Sequence, residues 1–261
     1  MRFKYFIVFT IVVIGHLVAG IYFNHYSAWW IALALLVFLG ITVLACIKIQ
    51  WNFFITSVNR VPLTIQQFSS GIKPVALTFD DGPHECTPAI LDILKQEQVP
   101  ATFFVIGKNI AGKEALLQRM ASEGHLIGNH SFSHSVHFDW QSTRQMKADI
   151  QQCSDAITAV TGTAPTIFRP PFGVTNPNLA RAIQGLNLVS VGWTIRSMDT
   201  VAKDADALLQ KILKQVKSNS TVLLHDRCPI TVQILPELIR NLKERGYTFT
   251  FPVRMESVAV L

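Results

Sequence analysis

A chain of 261 residues, 49% of them hydrophobic and only 15% charged, is too apolar to stay disordered and long enough for one large folded domain with an anchor. Its formal charge of +6 is unevenly spread: no Asp or Glu precedes Asp80, and Arg2, Lys4, Lys48, Arg60 and Lys73 place five of the six net charges in the leading stretch. A nucleic-acid binder carries its basic residues as a stripe on the folded domain, whereas these flank apolar segments, so no nucleic-acid partner is expected and a membrane is.

Residues 5–23 form an almost uncharged apolar stretch, and residues 28–47 a second one without any charge. Each spans roughly 30 Å as a helix, the thickness of a hydrocarbon core, so residues 1–50 predict a transmembrane helical hairpin turning at residues 24–27. Trp29, Trp30, Trp51, Tyr22 and Tyr26 sit near the ends, at headgroup level. The turn carries no Lys or Arg while both outer flanks do, which places a multi-pass protein in the cell membrane with its N-terminus and following domain on the cytoplasmic side. The competing reading is a secretory signal with Arg2 and Lys4 as its basic start and Val18-Ala19-Gly20 as the cleavage site. Against it, the apolar run continues past Gly20 and a second segment follows at once.

Residues 51–72 read as an interfacial linker ending in a Ser69-Ser70-Gly71 turn, with the main domain at residues 73–261. There, short apolar runs at 75–79, 102–106, 125–128, 166–168, 188–192, 222–224 and 247–251 alternate with amphipathic helices at 88–98, 113–123, 142–160, 178–184, 204–216 and 232–245. About seven such repeats predict an α/β fold with a parallel sheet, and roughly 185 residues suit a distorted, incomplete (β/α) barrel better than a full one. Polar clusters follow the runs at 78–83, 129–134, 169–173, 196–199 and 224–227. In a barrel, strand ends converge on one face, so these distant residues are expected in one cleft.

Four cysteines, one of them Cys46 inside an apolar segment, leave an odd three without paired or metal-type spacing, and no disulfide framework is expected. Cys228 lies close to His225 but reads as a small, partly buried residue. His84, His125 and His137 lack partners at useful spacing and read as structural or surface residues.

Thr78-Phe79-Asp80-Asp81-Gly82-Pro83 places two carboxylates at a strand end, where a turn at Gly82 frees one to rotate and take a separate task. An ordinary Asp-Gly turn explains the same residues. His130-Ser131-Phe132-Ser133-His134 sets two imidazoles four residues apart, on one face of a helical turn if helical, a spacing that metals use and that exposed histidines also show by chance. With a strand-end carboxylate the pair supplies an N,N,O set that leaves positions open for water and substrate.

These segments, with Arg169-Pro170-Pro171-Phe172-Gly173 and Leu223-Leu224-His225-Asp226, give the chain a resemblance to the polysaccharide deacetylase family, also known as the NodB-homology or carbohydrate esterase family 4 domain, over about residues 74–251. The resemblance implies a metal-dependent hydrolase of N-acetyl groups on amino sugars, acting on amide but not peptide bonds. It implies that Asp81, His130 and His134 bind one divalent metal, zinc first, with cobalt, manganese or nickel as substitutes. Asp80 would be the general base, held by Arg169, and His225 the general acid. Phe172 and Leu223 would line a slot for the acyl methyl and Trp193 pack on a sugar ring, although all three equally suit a core.

One departure concerns the family's frequent Asp-x-x-Asp-Trp segment, which reads Arg196-Ser197-Met198-Asp199-Thr200. An acidic residue at the first position would raise the pKa of the acid histidine, which an arginine cannot do. Either Asp199 or Asp226 takes over, or Arg196 binds an anionic substrate group. The expected substrate is an N-acetylated polysaccharide or peptidoglycan; a cytoplasmic-face domain would suit a lipid-linked amino sugar better, and a non-catalytic, membrane-anchored sugar-binding protein is the third possibility.

Overall fold

The computed structural model describes residues 2–64 and 71–254; the Ser69-Ser70 part of the expected turn and the last residues of the expected domain, 255–261, lie outside them. Two helices come first, α1 (Arg2–Tyr22) and α2 (Trp29–Ile47), both long and apolar enough to cross a membrane. Almost all of their side chains face outward, so they are not core helices of a soluble fold. The Thr10 and Thr42 hydroxyls return to the Phe6 and Phe38 carbonyls four residues back, which satisfies them inside apolar surroundings. Phe6 packs edge-on against Phe38, and Phe3 and Phe6 meet Phe53 beyond the end of α2, closing the hairpin on the side next to the domain.

Eight strands follow: β1 (Lys73–Gly82), β2 (Thr102–Val105), β3 (Leu126–Asn129), β4 (Ile167–Phe168), β5 (Val189–Ser190), β6 (Ile195–Arg196), β7 (Ser220–His225) and β8 (Tyr247–Phe249). Every pairing between them is parallel, in the order β5-β4-β3-β2-β1-β7-β6, with β8 against the start of β1. This is the expected incomplete, curled barrel. Seven strands match the apolar runs, and the eighth, β6, is too short to show a period. Central β1 is buried from Pro74 to Gly82, as a parallel strand covered on both faces must be.

Among the described residues six helices wrap the sheet: α3 (Thr87–Glu97), α4 (Glu114–Ser122), α5 (Thr143–Thr161), α6 (Pro177–Gln184), α7 (Ala205–Gln215) and α8 (Pro229–Glu244). Their starts are written in the sequence. Ser142 and Gln145 form a reciprocal capping box on α5, while Asn176 and Asp204 accept the first free amides of α6 and α7. The main core packs Val75, Leu77 and Phe79 of β1 against Leu94, Leu209 and Leu238 of α3, α7 and α8, fixing the strand that ends in the two aspartates. All four cysteines are free thiols.

The stretch expected as a linker is bound into the domain. The strand order leaves β5 and β6 as edges, and residues 58–61 lie between β5 and the start of β7. The Val58 amide donates to Ser190 O (2.8 Å), Gly192 donates to Val58 O (3.0 Å) and Val61 donates to Asn219 O (3.0 Å). Pairing of this kind removes the unpaired groups that a sheet edge presents. The end of α2 is tied down as well: Thr175 donates its amide to Cys46 O (2.9 Å), and Ile49, in the turn Ile49–Trp51, packs with Trp193 and Leu223.

Candidate active site

Asp80 and Asp81 would point to opposite faces of a straight strand. The turn that brings them together falls at Asp81 and not, as expected, at Gly82. Asp81 has φ 75°, and the pairing of β1 with β2 skips it, going from Asp80–Phe104 to Gly82–Val105. It is therefore the extra residue of a bulge, a device that re-aims one side chain. Asn109 Nδ2 donates to Asp81 O (2.8 Å) and holds the turn.

The segment from His130 to His134 is also not the helical turn that its spacing suggested. Ser131 and His134 have positive φ (65° and 44°), and no helix forms. Side chains supply the partners that a helix would have given the backbone: Asn129 Oδ1 accepts from the Ser131 amide (2.8 Å), and the Asp149 carboxylate of α5 accepts from Phe132 (2.7 Å) and Ser133 (3.2 Å). In this irregular loop the imidazoles still converge. Asp81 Oδ1 lies 3.6 Å from Nε2 of both His130 and His134, and the three donor atoms fall within 4.8 Å of one another.

Donors around a tetrahedral ion with bonds of about 2 Å stand roughly 3.3 Å apart, so this set needs little closure to hold a divalent ion. His130 Nδ1 donates to Arg169 O (2.8 Å), which leaves the Nε2 lone pair facing the site. Burial and the neighbouring His130 push the His134 pKa down to about 4, keeping it in the neutral, ligating form. For Asp81, burial raises the pKa, but His130, the Arg227 hydrogen bond, His225 and His134 together hold it below the ordinary value.

Arg169 is fully buried and spends four of its five N–H donors on fixed partners. Nη1 donates to Asp80 Oδ1 (2.7 Å) and Thr78 Oγ1 (2.8 Å), Nη2 to Gly192 O (2.9 Å) and Nε to Val191 O (3.2 Å), with the Phe104 ring 4.0 Å from the guanidinium carbon. One Asp80 oxygen is thereby locked. The other, Oδ2, lies 3.7 Å from His130 Nε2, on the donor set.

Across the cleft, His225 Nδ1 donates to Asp199 Oδ1 (2.7 Å), while Asp199 Oδ2 accepts from the His225 amide (2.7 Å) and Thr231 Oγ1 (2.7 Å). Burial depresses the His225 pKa, but Asp199 outweighs it and the net shift is upward. Of the two carboxylates considered for this task, Asp199 makes the contact. Asp226 is buried beneath Gly82 with Thr87 Oγ1 on its Oδ2 (2.7 Å), and burial drives its pKa up to about 7.

Asp80, Asp81, His130, His134, Phe172, Trp193, Leu223 and His225 line one cleft of about 170 Å³. Size does not single it out, since a 470 Å³ cleft between Leu94 and His125 is larger but offers only Lys95, Glu123 and His125 as ionisable groups. Phe172 is exposed beside the His134 ring, with centroids 4.7 Å apart. Trp193 is only 6% exposed and is covered by Ile49 and Leu223, so it forms a wall more than an open platform for a sugar. His84, His125 and His137 are not in the cleft; His125 Nδ1 accepts from the Ala101 amide.

Sequence reasoning missed Arg227, whose Nε donates to Asp81 Oδ2 (2.7 Å), and the loop-holding Asp149. The only signal for Arg227 was its place directly after His225-Asp226.

A family model described as polysaccharide deacetylase matches residues 69–191. The chain is 36% identical over 178 residues to the peptidoglycan-N-acetylglucosamine deacetylase PgdA of Listeria monocytogenes, a match covering 68% of this chain and 37% of that protein. It therefore spans well under half the length of that relative. It is 39% identical over 163 residues to a chitooligosaccharide deacetylase of Rhizobium leguminosarum bv. phaseoli, covering 61% of this chain and 71% of that one. Among solved structures, a mutant with restored enzymatic activity of a Bacillus anthracis family 4 pseudoenzyme superposes with a TM-score of 0.66 at 28% identity, over 71% of this chain and 67% of the other.

Proposed function

Because the chain belongs to the polysaccharide deacetylase family, we propose that it is a metal-dependent hydrolase that removes the N-acetyl group from an amino sugar of a glycan. One observation carries this: a three-donor set, a carboxylate with one oxygen locked and one free, and an imidazole backed by a carboxylate all line the same cleft.

Asp81, His130 and His134 would hold the ion, which supplies Lewis acidity to water and to the acyl oxygen; zinc suits this N,N,O set, with cobalt, manganese or nickel as substitutes. Arg169 orients Asp80, whose free Oδ2 takes the proton from the attacking water. His225 keeps Nδ1 on Asp199 and gives the proton on Nε2 to the departing amine, a poor leaving group unless protonated. Leu223 and Phe172 bound the space for the acyl methyl. A non-catalytic, sugar-binding role, which the pseudoenzyme fold brings to mind, would be favoured by loss of a ligand or of the base. Asp80, Asp81, His130, His134, Arg169 and His225 are all present.

The test is acetate release from N-acetylated oligosaccharides and peptidoglycan. Stripping with a chelator is expected to lower the rate by roughly 10²-fold or more, the scale of losing a main oxyanion contact, and added zinc to restore it. Full activity in the stripped protein would remove the metal from this proposal.

The two apolar helices support attachment to the cell membrane with both retained, against cleavage of the first as a leader. The positive charges on their outer flanks and none in the turn favour a cytoplasmic domain. In sealed right-side-out vesicles the domain is then expected to resist protease and become cleavable on opening; cleavage in the sealed vesicles places it outside.

A further inference from the structure

Three features outside the reacting groups meet at this cleft. The first is Arg196, exposed on its lining, with its guanidinium 6.0 Å from the Trp193 ring. Among the described residues no carboxylate lies within ion-pair distance of it. An unpaired surface arginine is ordinary, but this one is held on β6, paired with Leu223 of the cleft wall, so its position is set by the sheet. Arg227 stands on the same lining with Nε on Asp81 and, among the described residues, no hydrogen bond from its terminal nitrogens. Arg227 is committed to Asp81, whereas Arg196 gives the cleft a guanidinium group that none of the described carboxylates takes up, a site for an anion.

The second is the join with α2. Ile49 lies two residues beyond the end of that helix and packs directly on Trp193 and Leu223, two cleft-lining residues. The cleft wall is therefore within about one helical turn of the apolar segment.

The third is a rim. After Trp51, six large apolar side chains among the described residues are exposed, and five of them, Val136, Trp140, Phe172, Met198 and Val201, stand on loops that follow β3, β4 and β6. Those are the loops at the cleft, and Trp140 is 87% exposed. Exposed apolar side chains on the loops at one end of a folded domain suit membrane or partner contact, and the end of α2, bonded to the loop after β4 through Thr175 and packed on the cleft wall through Ile49, selects the membrane.

A sugar joined to lipid through phosphate presents that phosphate at the headgroup level, where arginine and tryptophan side chains settle. A neutral polymer gives Arg196 nothing to pair with and gains nothing from an apolar rim. Resting on the deacetylase reading above, we propose that the substrate is an N-acylated amino sugar linked through phosphate to a membrane lipid, with Arg196 recognising the phosphate and the apolar loop rim seated on the bilayer.

The test uses the full chain reconstituted with zinc in phosphatidylglycerol-containing vesicles, and compares acetate release from polyprenyl-phosphate-linked N-acetylglucosamine, N-acetylglucosamine 1-phosphate and chitotetraose. The lipid-linked sugar is expected to have a kcat/KM about tenfold or more above chitotetraose, the scale of a charged hydrogen bond to its phosphate, and to exceed the soluble sugar phosphate through the bilayer contact. Arg196→Gln is expected to lower kcat/KM for the lipid-linked sugar about tenfold more than for chitotetraose, and Arg196→Lys to recover part of that difference. Trp140→Ser is expected to slow only the vesicle-borne substrate. Equal or faster turnover of chitotetraose or of the soluble sugar phosphate overturns the proposal, as does an Arg196→Gln variant that slows all three alike. These outcomes leave the deacetylase reading standing, whereas absence of acetate from all three substrates removes both.

Discussion

Asp80→Asn is expected to lower acetate release by roughly 10²–10⁴-fold, the range typical of losing a positioned general base, while zinc stays bound. The amide cannot take a proton from water, yet its oxygen can still accept from Arg169 Nη1, which is 2.7 Å away in the native protein. The ligands Asp81, His130 and His134 are untouched, so metal content by mass spectrometry should match the parent. Stability should fall, because Arg169 is fully buried and loses its one carboxylate partner among the described residues. Breaking such a pair costs about 3–5 kcal/mol. An unfolding curve at the assay temperature separates the two effects, and an unchanged rate in folded, metal-loaded protein would take Asp80 out of the mechanism.

Asp199→Asn is expected to act through His225, and pH is the measurement that exposes it. A general acid works only while protonated, so the rate falls as pH rises through its pKa. Asp199 raises that pKa against the depressing effect of burial. Removing the carboxylate lowers it, and the alkaline limb of the kcat profile should move to lower pH. The amide also places a donor where Asp199 accepts from the His225 amide and Thr231, which disturbs the ring's orientation. A loss of roughly 10²-fold or more near neutral pH is therefore expected. A variant with reduced rate but an unshifted limb would leave Asp199 with a purely structural task.

Much of this site was legible because its residues close the strands that the apolar runs mark. Val75 to Phe79 reads as a buried strand, so Asp80 and Asp81 had to stand at its end, and the other clusters followed by the same rule. Local conformation was less legible. A His-x-x-x-His spacing is the same in a helical turn and in a loop, and what selects the loop is Asn129 and Asp149, one beside the pair and one many residues later in α5. Two-residue β6 carries too little pattern to be seen, although it fixes Arg196. The choice between Asp199 and Asp226 as partner of His225 stayed open in the sequence because it depends on which carboxylate the fold turns toward the ring. Residues 58–61 looked like a linker because the groups that hold them, around Ser190 and Asn219, are far along the chain.

Ile49 has a consequence for how the parts of this protein can vary. Its side chain stands at once just past the end of an apolar helix and in the wall of the cleft. Helix and domain are therefore not interchangeable modules on a string. Any drift in the tilt of the first is felt as a change in the width of the second, so the two must evolve as one piece.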